Sequence, residues 1–597
     1  MRKKHFLFAS VLALLCGSSA LHAQDFKLTS SGYFKNQGVD IMAFDDIYPE
    51  GHQGGVCIIM NGHRVATNGD IRLEATPGQW QPVPKQLDRK LGDNSITATL
   101  CYPDSSRHLT GFNPMIYPDL HLIYTVNVES KGKNIEVTVD LDRPIPQEFI
   151  GKVGFNLEFF PGSLFGKPWI MDGQSGIFPQ QPNSPLMTTQ PNYLHTGNYH
   201  DGKQSLADMD KLIGKGYSPI VADDIISEPY AKGRKFTSRP DDPYNKVTIE
   251  SLSGDLQLFD GRMNHNNGWF VLRSNIKPGV TKGAVKWIIT PNVVADWMYQ
   301  PVIQTSQIGY HPAQDKEAVI EMDIRDNRKE TAQIIRIDAD GEKVVKNVTP
   351  ANWGKFLRYN YLKVDFTDVK EPGLYKIKYD TSVSPIFRID NDVYARGVWQ
   401  PVLEYFLPVQ MCHMRVNEKY RVWHDCCHMD DAQMAPAHNH IDGYDQKEGL
   451  SKFKPGEVVP GVNIGGWHDA GDFDLRIESQ AGESYILALA YEAFHPNLDV
   501  TSIDQINRVT EIHQPDGKND LLQQVENGAL TVVNGYLALG RLYRGIICND
   551  LRQYVLLGDA AAMTDGKIGN EDDRWIFTED NPGRELSTAA QLAAVSR

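Results

Sequence analysis

The chain has 597 residues, of which 41% are hydrophobic, 10% aromatic and 23% charged. That is ample material for packed cores and, at roughly 150 residues per domain, for three or four units. Sixty Lys and Arg oppose 75 Asp and Glu for a net charge of −15, with no basic stripe, which argues against a nucleic-acid binder. Fifty Gly and 34 Pro without a period exclude collagen-like or low-complexity material and predict many turns and long loops.

Residues 1–24 carry Arg2, Lys3 and Lys4, an apolar run from Phe6 to Cys16, and small residues leading to Ala20 and Ala23. This is the pattern of a secretory signal peptide, too short to span a bilayer comfortably. A lipoprotein anchor at Cys16 is disfavoured by the bulky Leu15 before it. The expected location is periplasmic or secreted, and no integral membrane segment is expected downstream. Six cysteines follow: Cys57, Cys101, Cys412, Cys426, Cys427 and Cys548. An oxidising compartment leaves a Cys57 to Cys101 disulfide open. Three of the six crowd between 412 and 427 among histidines.

Residues 25–300 read as β-rich. In HLIYTVNVES, Leu122, Tyr124, Val126 and Val128 alternate with smaller or polar neighbours, and IEVTVDLD alternates through Ile135, Val137, Val139 and Leu141. Two such runs across a Gly-bearing turn predict a hairpin with one buried face. KVTIESL, DLQLFD, GWFVLRS and AVKWIIT extend the pattern to a β-sandwich of one or two pairs of layers. FFPGSLFGKPWIMDGQSGIFPQQPNSP and NYLHTGNYHDG read as long loops, whose aromatics either stack on sugars or, more commonly, anchor the loop.

Residues 301–390 carry QIGYHP, AVIEMDI, QIIRIDADGEKVV, YLKVDF, EPGLYKIKYD and SPIFRID. Short runs with turn signals every eight to twelve positions predict an immunoglobulin-like β-sandwich. From 391 onward the spacing becomes helical, over Val393–Met414, Glu478–Phe494, Asp520–Ile547 and Glu585–Val595.

Two constellations carry chemistry. In GGWHDAGDFD, Asp469 and Asp472 flank Ala470 and Gly471, whose small size allows a tight turn that converges both carboxylates. Paired carboxylates separate one proton acceptor from its partner, although a calcium loop or a helix cap is the ordinary use of such spacing. The second constellation is Cys412, WHDCCHMDD from Trp423 to Asp431, and His468. Thiolates and imidazoles suit a four-coordinate structural zinc. A Cys426–Cys427 disulfide is the alternative, and His413, His424, His438 and His440 leave the ligand choice open.

Together these features resemble family 9 glycoside hydrolases, the inverting cellulase-type enzymes. GGWHDAGD is similar to their aspartate loop, QIGYHP and EPGLYKIKY to their N-terminal immunoglobulin-like module, and NDLLQQVENG to a barrel helix. The resemblance covers about 304–597 and implies a polysaccharide substrate, Asp472 as general base, Asp469 as a holder of the attacking water, and zinc ligands Cys412, Cys427, His428 and His468. It implies an (α/α)6 toroid of twelve helices with a late acidic Glu, which no Glu in this sequence matches. Only about four helical patterns follow residue 391, and ELSTAAQLAAVSR ends without a cap. The expected architecture is therefore multidomain: a β-sandwich region, an immunoglobulin-like β-sandwich and a partial, truncated and inactive toroid over 391–597.

Overall fold

The protein was analysed as a computed structural model describing residues 25–45, 54–74, 76–77, 84–102, 120–183, 186–188, 225–263, 268–436, 444, 446–469, 473–548, 566–568 and 573–597. The expected signal peptide and the NYLHTGNYHDG loop lie outside the described residues.

The first unit is one pair of layers, two sheets of nine strands each. Alternation accounts for its packing. Strands Ile123–Lys131 and Asn134–Leu141 pair Val126 with Val139 and Val128 with Val137, and all four side chains are buried. Gly132, at φ 69°, closes the turn between them. A single core runs from Phe26 to Ile289 between the sheets. Phe155 of one sheet meets Trp287 of the other edge-on at 5.0 Å, and the Trp287 indole donates to Ser274 Oγ at 3.1 Å.

The Pro- and Gly-rich segment after Phe159 is not all loop. It contains the hairpin Pro168–Met171 and Gln174–Ile177 at the edge of the second sheet. Gly176 makes this fold feasible: a Cβ there would lie 2.4 Å from the Trp169 ring. The aromatics of the segment are anchors, since Phe160 meets Trp269 at 4.5 Å and Phe178 meets Phe270 at 4.7 Å. No disulfide joins Cys57 to Cys101, which belong to strands of different sheets.

The second unit is a smaller sandwich. One sheet holds Val302–Gln304, Glu317–Asp323, Tyr359–Asp365 and Ala351–Phe356; the other holds Ala332–Asp338, Gly341–Val348, Gly373–Tyr379, Ser382–Val383 and Phe387–Ile389. Ile320, Ile334, Leu362 and Ile377 fill its core. QIGYHP is an anchored turn rather than a strand of a sheet: the Tyr310 ring packs 5.1 Å from Phe366 and 5.3 Å from Phe387, and its hydroxyl donates to the Glu317 carbonyl at 3.1 Å.

The third unit is less helical than its spacing predicts. Its helices are α1 (Leu407–Gln410), α2 (Ile477–Phe494), α3 (Asp520–Leu539) and α4 (Pro582–Val595). Two four-stranded sheets of short strands lie among them. Helix α3 ends well before Ile547, because Gly540 turns left-handed at φ 77° and its N–H caps the Tyr536 carbonyl at 2.7 Å. The apolar run beyond it, Gly545–Cys548, is a fully buried strand. A short apolar run looks alike in a helix and in a buried strand. The described residues thus show four helices and two small sheets, and do not establish a toroid.

Candidate metal centre and aspartate loop

The chain leaving α1 runs antiparallel to the start of GGWHDAGDFD. Cys412 N donates to the Gly466 carbonyl at 2.9 Å and His468 N to the Gln410 carbonyl at 2.8 Å. Gly465 and Gly466 adopt φ 67° and 87°, and a Cβ on Gly465 would strike the Asn527 carbonyl at 2.4 Å. Trp467 is locked by two helices: its backbone exchanges 2.9 Å hydrogen bonds with Gln480 of α2, and its indole donates to Gln524 of α3 at 2.8 Å. His468 therefore enters the site from a rigid support.

Cys412, Cys427, His428 and His468 bring their ligand atoms within 4.8 Å of one another, all buried. The Cys412 and Cys427 sulfurs are 3.8 Å apart, Cys412 Sγ lies 3.6 Å from His428 Nδ1, and Cys427 Sγ lies 3.5 Å from His468 Nε2. Zinc bonds of about 2.3 Å to sulfur and about 2.0 Å to nitrogen would set tetrahedral partners about 3.8 Å apart for two sulfurs and about 3.6 Å for sulfur and nitrogen. The four residues fit a tetrahedral metal, and the cluster can hold one.

Among the described residues, these four are the ones whose ligand atoms share one centre. Cys426 and Cys427 remain thiols, and Cys426 Sγ faces the Arg508 carbonyl at 3.8 Å. His413 Nδ1 is engaged with the Gly465 carbonyl and His424 Nδ1 with the Asp425 carbonyl, each at 2.9 Å. His438 and His440 lie outside the described residues. Burial, then the Arg574 charge, pushes His428 down to about 3, and burial also lowers His468, so both rings stay neutral and able to ligate. Burial opposes ionisation of Cys412, but the Cys427 thiol and the Arg574 charge outweigh it and hold Cys412 well below the usual thiol range. Burial and the neighbouring Cys412 thiolate keep Cys427 protonated in the metal-free chain.

Asp469 follows directly. Its N–H donates to the Asp474 carbonyl at 3.2 Å, closing the loop on itself, and its carboxylate lies 3.5 Å from Arg476. Asp472 lies outside the described residues, so the convergence of the two carboxylates is not described.

Three residues escaped sequence reading. Asp474 is fully buried and accepts from Cys548 N at 2.9 Å, anchoring the exit of the loop. Glu483 of α2 reaches solvent, yet crowding by neighbouring atoms and then the Asp469 charge raise its pKa. Arg574 is fully buried beside Cys412; its only sequence signal is a cation at the junction between the acidic run Glu571, Asp572, Asp573 and the apolar run WIF.

Comparison with known proteins adds a class to this geometry. Residues 298–384 match the family described as cellulase N-terminal ig-like domain. The second sandwich is that ig-like domain. Among solved structures, a zinc-binding triple mutant of the GH family 9 endoglucanase J30 aligns at 21% identity and a TM-score of 0.32, over 45% of this chain and 44% of that one. A Bacteroides ovatus GH9 aligns at 18% and 0.34, over 49% and 47%. HI1317 aligns at 8% and 0.22, over 45% of this chain and 98% of its own. The chain thus spans less than half the length of the two GH9 structures. No curated protein matches it.

Proposed function

We propose that this chain is a secreted, family 9 type glycoside hydrolase that cleaves β-linked polysaccharide, cellulose or a related β-glucan, with inversion. The observation that carries this reading is a cellulase N-terminal ig-like domain followed by a loop whose entry, at His468, is held in a four-residue Cys/His centre. Inversion needs one carboxylate to activate water and a carboxylic acid on the opposite face of the sugar, roughly 6.5–9.5 Å away. Asp472 is the base in this reading and Asp469 orients the water. Bound zinc would fix loop geometry; with four protein ligands it has no open position for substrate. Among the described residues no helix is long and apolar enough to cross a membrane.

The test pairs binding with turnover. Hydrolysis of β-glucan by the protein should release products of inverted anomeric configuration, followed by NMR. Asp472→Asn should lower turnover by about 10²- to 10⁴-fold with glycan binding nearly unchanged. Full activity in that variant defeats the assignment.

A second reading, a noncatalytic carbohydrate-binding protein, is favoured by one feature of the ig-like domain. Trp353, 56% exposed, meets Tyr361 at 5.6 Å, and the row continues to Tyr359 at 6.1 Å and Tyr299 at 5.1 Å. The exposed Trp353 ring, with half-buried tyrosines behind it, offers an apolar face and a polar edge suited to sugar stacking. Glycan capture with no hydrolysis would select this reading.

A further inference from the structure

Arg574 heads the buried strand Arg574–Phe577, which pairs with Gly545–Cys548. Its side chain is wholly removed from water, so its charge persists only if fully compensated. The guanidinium meets that requirement by contacting every chain segment that builds the Cys/His cluster. Nε donates to Asp431 Oδ2 at 2.5 Å, three residues beyond His428. Nη2 points at Cys412 Sγ at 3.4 Å and at His413 Nε2 at 3.1 Å. Nη1 donates to the Phe473 carbonyl at 2.7 Å, at the far end of the aspartate loop. The Phe473 ring in turn lies 5.0 Å from His468 and 5.4 Å from His428.

We infer that Arg574 is a positioning residue that fixes the Cys412 thiolate toward the metal and pins the exit of the aspartate loop to the same centre. His468 then holds the loop at its entry and Arg574 at its exit, with the Asp469 to Asp474 hydrogen bond closing the neck between them. Outer partners of metal ligands orient the ligand and tune its charge. Only the planar fork of Arg serves four acceptors in different directions at once; a Lys ammonium in its place reaches fewer of them. The inference rests on reading the cluster as a metal centre and the 468–474 segment as the catalytic loop.

The experiment uses the full chain with Arg574→Lys and Arg574→Met. Zinc affinity is measured by competition with a chromogenic chelator, the thiolate-to-cobalt absorption is recorded after cobalt substitution, and protease cleavage within 469–474 is mapped at saturating zinc. Arg574→Lys is expected to weaken zinc binding by about 10- to 100-fold, to shift the cobalt band, and to open the loop to cleavage even when metal is bound. Wild-type affinity with an unshifted band in Arg574→Lys, even with a lowered melting temperature, overturns the inference and leaves Arg574 a packing residue. If Arg574→Met does not fold, Arg574→Lys alone decides. A wild-type chain that binds no zinc overturns the metal centre itself, whereas loss of glycan hydrolysis with these effects intact would strike only the glycosidase reading.

Discussion

Glu74 and Arg273 face away from the sandwich interior, on the side of their strands opposite Phe155, yet both are only 1% exposed. Arg273 donates to Glu74 Oε1 at 3.1 Å, to Asn156 Oδ1 at 3.0 Å and to the carbonyls of Glu74 and Lys152 at 2.9 Å. Even so, desolvation outweighs the Arg273 charge and raises Glu74 to about 7. An acid whose folded pKa exceeds its unfolded one holds its proton longer in the native state. Its contribution to stability is complete below about pH 4.5 and is lost as pH rises through 7, a change of about 3 kcal/mol at most. Glu74→Gln should flatten the fall in melting temperature between pH 5 and pH 8 relative to wild type. Parallel pH profiles for the two proteins would show that Glu74 does not titrate in this window.

Helix α3 illustrates how an element can be built around what its neighbours need. Asn519 caps it, accepting from Leu521 N at 3.1 Å, and Asn is among the residue types best suited to that position. Less expected are Gly528 and Gly535 within the helix, since each glycine costs a helix interior about 1 kcal/mol relative to alanine. The packing explains them: a Cβ on Gly528 would lie 2.2 Å from the Trp467 ring and 2.3 Å from Ser484 Oγ, and one on Gly535 would lie 2.1 Å from the Tyr543 ring. Gly528 is the notch that seats Trp467, and Trp467 precedes the ligand His468. Gly528→Ala gains helix propensity but overpacks the contact, which costs about 1–3 kcal/mol. A net loss of stability in urea melts, together with weaker zinc binding, is the expected outcome; an alanine variant at least as stable as wild type would remove the notch from the account.

Three sets of cores divide the molecule. One spans Phe26 to Ile289, one Ile303 to Ile389, and the helical unit has its own clusters around Cys412, Leu475 and Trp467. Units with separate cores open as separate cooperative blocks, so a single unfolding free energy does not describe the chain. A metal that binds only the native Cys/His cluster stabilises only the block that contains it. Calorimetry of the zinc-loaded chain should therefore show resolved transitions, and chelation should lower the one belonging to the helical unit while leaving the large sandwich where it was. An equal shift of every transition would mean that the units unfold together.

Local rules made much of this legible. Alternating valines announce the hairpin of Ile123–Lys131 and Asn134–Leu141, helical spacing from Asp520 announces α3, and the crowding of sulfur and imidazole marks a candidate metal centre whose four ligands only the family resemblance singles out. The first two are properties of neighbouring residues, carried by side-chain period. Other local signals are ambiguous: Pro and Gly conceal the hairpin at Pro168–Ile177, strand Ala351–Phe356 has no apolar alternation, and the buried strand Gly545–Cys548 has the composition of a helix end. The choice among the histidines, the anchoring of Asp474 and the place of Arg574 have no local signature. Ligand selection depends on which thiols and ring nitrogens the fold brings within reach of one point, and the Arg574 fork depends on three distant segments meeting in a space without water. A lone arginine heading an apolar strand becomes a clasp only when folding closes those segments around it, because a buried guanidinium must then find all its partners within the protein.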